Sequence, residues 1–111
     1  MEIIKETIDD VLVIALKGRL DANTAGDLEK ALIPTIDKGI HNIVLDLEEL
    51  DYISSAGLRI FLMALKKMQN VNGKLVLCSL KEMIQEVFKI AGFLPIFQIT
   101  GSRFKALEEF K

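Results

Sequence analysis

The fold is decided by residues 42–68, which read NIVLDLEELDYISSAGLRIFLMALKKM. Residues 42–47 are mostly apolar, with β-branched members, which is typical of a strand buried in a sheet. Residues 48–54 are interpreted as the loop that follows this strand. From Ser55 onward, apolar residues recur every three or four positions and predict a helix that ends near residues 72–73. These apolar residues are Leu58, Phe61, Leu62, Leu65 and Met68.

Upstream of this stretch, the sequence predicts two strands and a helix. Residues 3–8 and 11–16 are rich in apolar and β-branched types and flank a turn-like pair of aspartates, so a hairpin is the simplest interpretation. The polar cluster at residues 21–24 then predicts a helix start, and apolar residues follow it at helical spacing. Pro34 lies inside that pattern, and we expect a kink or an early end of the helix there.

Downstream, the alternation of strand and helix continues. Residues 75–78 predict a second buried strand, and residues 96–99 a further short one. An amphipathic stretch between them ends at Gly92, and a last amphipathic helix begins after Ser102. The apolar residues expected to share one face of the middle stretch are Met83, Ile84, Val87 and Ile90.

The order of these elements predicts an α/β fold in one domain that spans residues 1–111. Strands that alternate with helices pair mostly in parallel through right-handed crossovers, while the N-terminal hairpin adds an antiparallel edge. We expect a mixed, mostly parallel sheet with about four covering helices. In such sheets the functional loops lie beyond the carboxyl ends of the parallel strands, and the Ser54-Ser55 pair is expected there.

Composition and charge narrow the classes of partner. The chain has 111 residues, of which 50% are hydrophobic, and this content suffices for one core. A net charge of −2 with interleaved signs gives no electrostatic reason to expect direct contact with nucleic acid or a membrane. The sequence shows no membrane span and no signal peptide, and its single cysteine fits a reducing compartment, so the expected location is the cytoplasm.

Catalytic and metal sites are not indicated. A nucleophilic Ser55 needs a base, and the only histidine, His41, lies before the strand that Ser55 follows. The strand would hold the two about 20 Å apart. Several carboxylates could crowd the same edge of the sheet, but acidic loop residues are usually caps and turn formers. We therefore expect no enzyme, no cofactor and no metal. The carboxylates in question are Asp21, Asp46, Glu48, Glu49 and Asp51.

The Ser54-Ser55 pair at the helix start has two compatible interpretations. A serine there can cap the helix by accepting a hydrogen bond from a free backbone N–H. The same free N–H groups and the positive end of the helix dipole also accommodate a phosphate, so a phosphorylation site is the sharper hypothesis.

Two motifs resemble those of a known family. Residues 51–59, DYISSAGLR, follow the strand and resemble the signature of the STAS-domain anti-sigma-factor antagonists. Residues 18–25, GRLDANTA, resemble the family's Gly-x-Leu-Asp-x-x-Thr-Ala stretch, and the order of elements is similar along essentially the whole chain. The resemblance implies a STAS-like fold.

The resemblance also implies a function. Such proteins bind an anti-sigma factor, itself a serine kinase of the histidine-kinase-like ATPase fold, and so release a sigma factor. Phosphorylation of one serine, here Ser55, ends the binding. A phosphatase is implied as a possible further partner, which removes the phosphate and restores binding. Asp21 falls where a family aspartate lies beside the phosphorylated loop. The partner-binding residues implied are Asp21, Asn23, Thr24, Ser54, Ser55, Ala56, Gly57, Leu58 and Arg59.

Two alternatives stay open at this point. Ser54 is an alternative phosphate acceptor, because Ser54 and Ala56 stand where many regulated members carry aspartate and a hydroxyl residue. The alternative function is that of a STAS binding subunit in a transporter or signalling assembly, which uses the same surface without phosphorylation.

Overall fold

The computed structural model describes residues 1–111, and it consists of a five-stranded sheet and four helices. None of the four helices has the length and apolar character needed to cross a membrane. In chain order the elements are β1 (Glu2–Ile8), β2 (Val11–Leu20), α1 (Ala25–Asp37), β3 (Asn42–Ile53), α2 (Ser55–Asn70), β4 (Lys74–Cys78), α3 (Glu82–Ile90), β5 (Gln98–Thr100) and α4 (Arg103–Glu108).

The strands lie side by side in the order β1-β2-β3-β4-β5. The β1–β2 hairpin is antiparallel, and the other three pairings are parallel. The predicted α/β class, mixed sheet and N-terminal hairpin are therefore confirmed. Because β2 to β5 run the same way, their carboxyl ends share one edge of the sheet, which we call the site edge.

The two faces of the sheet are covered unequally. Alternate residues of each strand point to opposite faces, so neighbouring core residues such as Val13 and Ile14 enter different clusters. A core of 24 buried residues fills the face covered by α1, α2 and α3. A cluster of 6 buried residues, among them Ala106 of α4, fills the other.

The strand before the Ser54-Ser55 pair is longer than predicted. β3 continues to Ile53, so the predicted loop at residues 48–54 is wrong. β2 likewise continues to Leu20, past the predicted end at residue 16. The parallel neighbour supplies backbone hydrogen bonds to the polar residues of β3, and Leu50 and Ile53 anchor this segment in the core. Tertiary pairing thus overrides the polar character of the local sequence.

Pro34 does not end α1, which continues to Asp37. Leu32, Ile33 and Ile36, on both sides of the proline, are buried in the core. Their packing stabilises the last turn although Pro34 lacks an N–H for the helix.

The apolar face predicted for α3 is confirmed at Ile84 and Val87 and wrong at Met83 and Ile90. Met83 is 64% exposed and Ile90 is 83% exposed, whereas Ile84 and Phe88 are buried. Phe88 packs into a group of edge-to-face aromatic rings, and its ring centroid lies 5.9 Å from that of Phe61. This packing orients α3 with Phe88 toward the core.

Candidate functional site

The two sequence motifs meet at the site edge. The Ser54 N–H donates to the Leu20 carbonyl at 2.9 Å, which joins the end of β2 to the start of α2. The Leu20 side chain also packs so close to Gly57 that a Cβ there would lie 2.6 Å from its Cγ. The turn after β2 and the first turn of α2 therefore form one surface with a fixed relative position.

The turn after β2 is held by its own polar side chains. The Asn23 N–H donates to Asp21 Oδ1 at 2.9 Å, and the Asp21 N–H donates to Thr24 Oγ1 at 2.9 Å. The Thr24 hydroxyl in turn donates to the Arg19 carbonyl at 2.8 Å. These bonds commit the Asp21 carboxylate and the Thr24 hydroxyl to the turn, so both act in shaping the surface.

The two serines have different environments. Ser54 is the N-cap residue of α2, but its side chain accepts no capping hydrogen bond, and its hydroxyl oxygen is buried without a partner. Ser55 is the first residue of the helix and is exposed. The predicted capping role of the serine side chain is therefore not seen, and Ser55 presents the accessible hydroxyl.

Arginines provide the positive charge near these serines. The Arg19 guanidinium carbon lies 4.2 Å from the centre of the Tyr52 ring, and its Nε lies 3.8 Å from Asp21 Oδ2. Arg59, one turn after Ser55, is exposed. The first turn of α2 contains no acidic residue. The surface around Ser55 thus combines cations, a free hydroxyl and the positive helix terminus.

The residues implied as partner-binding divide by burial. Gly57 and Leu58 are buried and support the surface from the core. The others reach solvent fully or partly, and they are Asp21, Asn23, Thr24, Ser54, Ser55, Ala56 and Arg59.

The carboxylates considered as a cluster are in fact dispersed, and four of the five lie beside separate cations. Asp46 is buried in β3, where Oδ2 accepts from Arg103 Nε at 2.9 Å. Glu49 Oε2 lies 3.2 Å from Lys17 Nζ, and the hydrogen bond and charge of Glu49 raise the pKa of that lysine. Lys81, just before α3, pairs with Asp51 of β3. No three His, Cys, Asp or Glu side chains lie together as metal ligands would.

The enzyme-like alternatives lack the arrangement of side chains that their chemistry requires. His41 and Ser55 lie at opposite ends of the 12-residue strand β3. Cys78 is fully buried, and burial together with the charge of Asp46 raises the pKa of its thiol to about 12, so the reactive thiolate does not form near neutral pH. Two surface depressions lie away from Ser55: one of about 390 Å³ is lined by α1, and one of about 230 Å³ is lined by the ends of α1 and α2.

Sequence reasoning missed Tyr52 and Lys81 as neighbours of the site. Tyr52 was assigned to a loop, although its register partner is Arg19 on β2. Lys81 belongs to a different element, so only the fold brings it to Asp51. A longer strand through residue 53 would have placed Tyr52 beside Arg19.

Comparisons with known proteins agree with this architecture. BtrV of Bordetella bronchiseptica, provisionally named as an anti-sigma factor antagonist, is 46% identical over 111 residues, which cover 100% of this chain and 96% of BtrV. The anti-sigma-B factor antagonist of Listeria monocytogenes is 34% identical over 97 residues, which cover 86% of this chain and 84% of that protein.

Solved structures share the fold. A Thermotoga maritima protein superposes with a TM-score of 0.92 at 24% identity, covering 96% of this chain and 92% of that one. The phosphorylated form of the Bacillus protein SpoIIAA gives 0.79 at 20% identity, covering 99% and 100%. The STAS domain family matches residues 2–107. The predicted resemblance is thus confirmed, and the chain belongs to the STAS domain family, alongside relatives named as anti-sigma factor antagonists.

Proposed function

We propose that this protein is an anti-sigma-factor antagonist that binds an anti-sigma factor through the site edge and so releases a sigma factor. The observation that carries the proposal is the joining of the two family motifs into one exposed surface by the Ser54–Leu20 hydrogen bond. Relatives that match most or all of the chain bear this functional name. The domain acts without catalysis, and its place of action is the cytoplasm, where sigma factors direct transcription.

The partner is proposed to be a serine kinase of the histidine-kinase-like ATPase fold that phosphorylates Ser55. The kinase transfers the γ-phosphoryl group of ATP to Ser55 Oγ, the hydroxyl proton is released, and ADP leaves. The exposed hydroxyl of Ser55 supports this assignment, whereas the Ser54 oxygen is buried. A phosphatase that hydrolyses the phosphoserine would restore binding.

Electrostatics explain why phosphorylation would end binding and spare the fold. A phosphoserine brings about −1.5 to −2 charges to the site edge, and a partner surface shaped for a neutral hydroxyl must desolvate them. A loss of about 1.4 kcal/mol already weakens binding tenfold. Within the chain, the positive end of α2 and the lack of acids in its first turn accommodate the charge.

The proposal is tested by capture from the protein's own cells. Tagged wild-type, Ser55→Ala and Ser55→Asp chains are used as baits, and bound proteins are identified by mass spectrometry. We expect a protein with a histidine-kinase-like ATPase domain on the first two baits, and at least tenfold less on Ser55→Asp because of its charge. Failure of every bait to bind such a protein would refute the antagonist role.

The phosphate acceptor is then identified with the captured kinase and ATP. Ser54→Ala is the matched control for Ser55→Ala, because it removes a neighbouring hydroxyl that is buried. We expect phosphate on the wild type and Ser54→Ala, and none on Ser55→Ala. Phosphate on Ser54 would move the site by one residue. Stable binding with no phosphorylation would favour the constitutive binding subunit of a larger assembly.

A further inference from the structure

Arg59 is the arginine without a partner. It is exposed on α2, and its guanidinium makes neither an ion pair nor a hydrogen bond within the chain. The other two arginines are engaged, since Arg19 stacks on Tyr52 and Arg103 binds Asp46. A free guanidinium is the group best suited to bind a planar or tetrahedral oxyanion through two hydrogen bonds.

The helix places Arg59 beside Ser55. Residues four positions apart on a helix are surface neighbours, with Cβ atoms about 5–6 Å apart. Ser55 and Arg59 are both exposed, and nothing bulky separates them, because Gly57 has no side chain and Leu58 is buried. A side chain as long as arginine can reach a group attached to Ser55 Oγ.

No carboxylate competes for Arg59 on its own helix. Its other neighbours at three and four positions are Ala56, Leu62 and Met63. Two acids of the site edge are already bound, Asp51 by Lys81 and Asp21 by the backbone of its own turn. Ser55 is therefore the one neighbour on the helix that can become an anion.

We infer that Arg59 is the intramolecular partner of a phosphate on Ser55, and that its guanidinium donates two hydrogen bonds to the phosphate oxygens. The inference rests on the proposed phosphorylation of Ser55. The pair holds the phosphate over the first two turns of α2. It also favours the dianion, so the full charge that repels the partner is present at neutral pH, where a free phosphoserine with a second pKa of about 6 still carries some monoanion.

The test uses the full chain with phosphoserine incorporated at position 55 during synthesis, so it requires no kinase. The second pKa of the phosphoserine is measured by ³¹P NMR titration in the wild-type background, in Arg59→Gln and in Lys66→Gln. Lys66 is the matched control, because it is exposed on the same helix but about 16 Å from Ser55 along the axis.

We expect Arg59→Gln to raise the second pKa of the phosphoserine by about 0.5, and Lys66→Gln to change it by less than about 0.1. No change in Arg59→Gln, or equal changes in both variants, would overturn the inference. Matching melting temperatures of the unphosphorylated chains establish that neither variant perturbs the fold. A pair found in a chain that no kinase modifies would refute the proposed phosphorylation of Ser55 and leave the ion pair standing.

Discussion

At the scale of single residues, two glycines in helix first turns have opposite surroundings. Gly57 in α2 faces Leu20, whose Cγ and Cδ2 would lie 2.6 and 2.8 Å from an added Cβ. Gly26 in α1 has nothing within 4 Å of the same position. The absence of a side chain at Gly57 is thus what lets α2 begin against the end of β2.

Gly57→Ala should therefore destabilise the protein, by about 1–3 kcal/mol, because Leu20 or the helix start must shift. Gly26→Ala should stabilise it by about 0.5–1 kcal/mol, because alanine has the higher helix propensity. Urea unfolding of both variants measures the two free energies. Equal effects of the two substitutions would show that Leu20 and Gly57 do not pack as described.

The thiol of Cys78 gives stability a pH dependence. Burial, and then the charge of Asp46, raise its pKa to about 12 in the folded chain. Below the unfolded pKa, about 8.5, the thiol is protonated in both states and its contribution is intact. As the pH rises from there toward the folded pKa, the unfolded chain loses the proton first, so unfolding becomes more favourable.

We expect the free energy of unfolding of the wild type, relative to Cys78→Ala, to be constant below about pH 8.5 and to fall above it by up to about 1.4 kcal/mol per pH unit. Urea unfolding of both chains from about pH 8 to about pH 11 measures the difference, in which the other titrating groups cancel. A constant difference over this range would contradict a raised thiol pKa.

At the scale of elements, the sequence predicted every helix and strand but not all of their ends and faces. Periodicity alone placed α2, because its apolar residues face a single core. The end of β3 could not be read locally, since its polar residues are strand only through pairing with β2. The face of α3 depended on where Phe61 lies in space, which no pattern within α3 encodes.

The candidate site was predictable to the same extent. Its two motifs were visible as residue strings, and the prediction that Ser54 and Ser55 lie beyond a parallel strand followed from topology. The Ser54–Leu20 hydrogen bond and the burial of the Ser54 oxygen were not visible, because both depend on contacts between segments distant in sequence.

The last helix, α4, is held on the sheet by the ion pairs of Arg103. Arg103 donates to Asp46 at 2.9 Å and to Glu6 at 3.1 Å. Burial disfavours the charged guanidinium, but the hydrogen bonds and charges of these two carboxylates outweigh it and raise the pKa of Arg103. Arg103 therefore stays charged, and Asp46, only 6% exposed in its side chain, depends on it for neutralisation.

Arg103→Met should lower the free energy of unfolding by about 2 kcal/mol, because it leaves the Asp46 carboxylate buried and unpaired. Lys105→Met, on the exposed side of the same helix, is the control and should change stability by no more than about 0.5 kcal/mol. The double variant Asp46→Val with Arg103→Met should recover most of the loss. A single Arg103→Met variant as stable as the control would show that the ion pair does not anchor α4.

At the scale of the whole molecule, Ser55 and the α4 anchor are separate. Ile53 lies seven positions after Asp46 in β3, which corresponds to about 23 Å along an extended strand. Ser55 begins α2 on the face of the large core, whereas α4 packs on the opposite face against the small cluster. Changes at one place should therefore leave the other undisturbed.

Partner binding and stability should accordingly respond to different substitutions. Ser55→Asp should weaken binding to the captured kinase at least tenfold and change the free energy of unfolding by less than about 0.5 kcal/mol, because the added charge is exposed at a helix start. Arg103→Met should lower the free energy of unfolding and leave binding to the captured kinase unchanged. In the double variant the two effects should add within about 0.5 kcal/mol, as expected for sites more than about 10 Å apart. Calorimetric titration and urea unfolding of all four chains measure both quantities, and a binding loss in folded Arg103→Met would mean that the sheet couples its two faces.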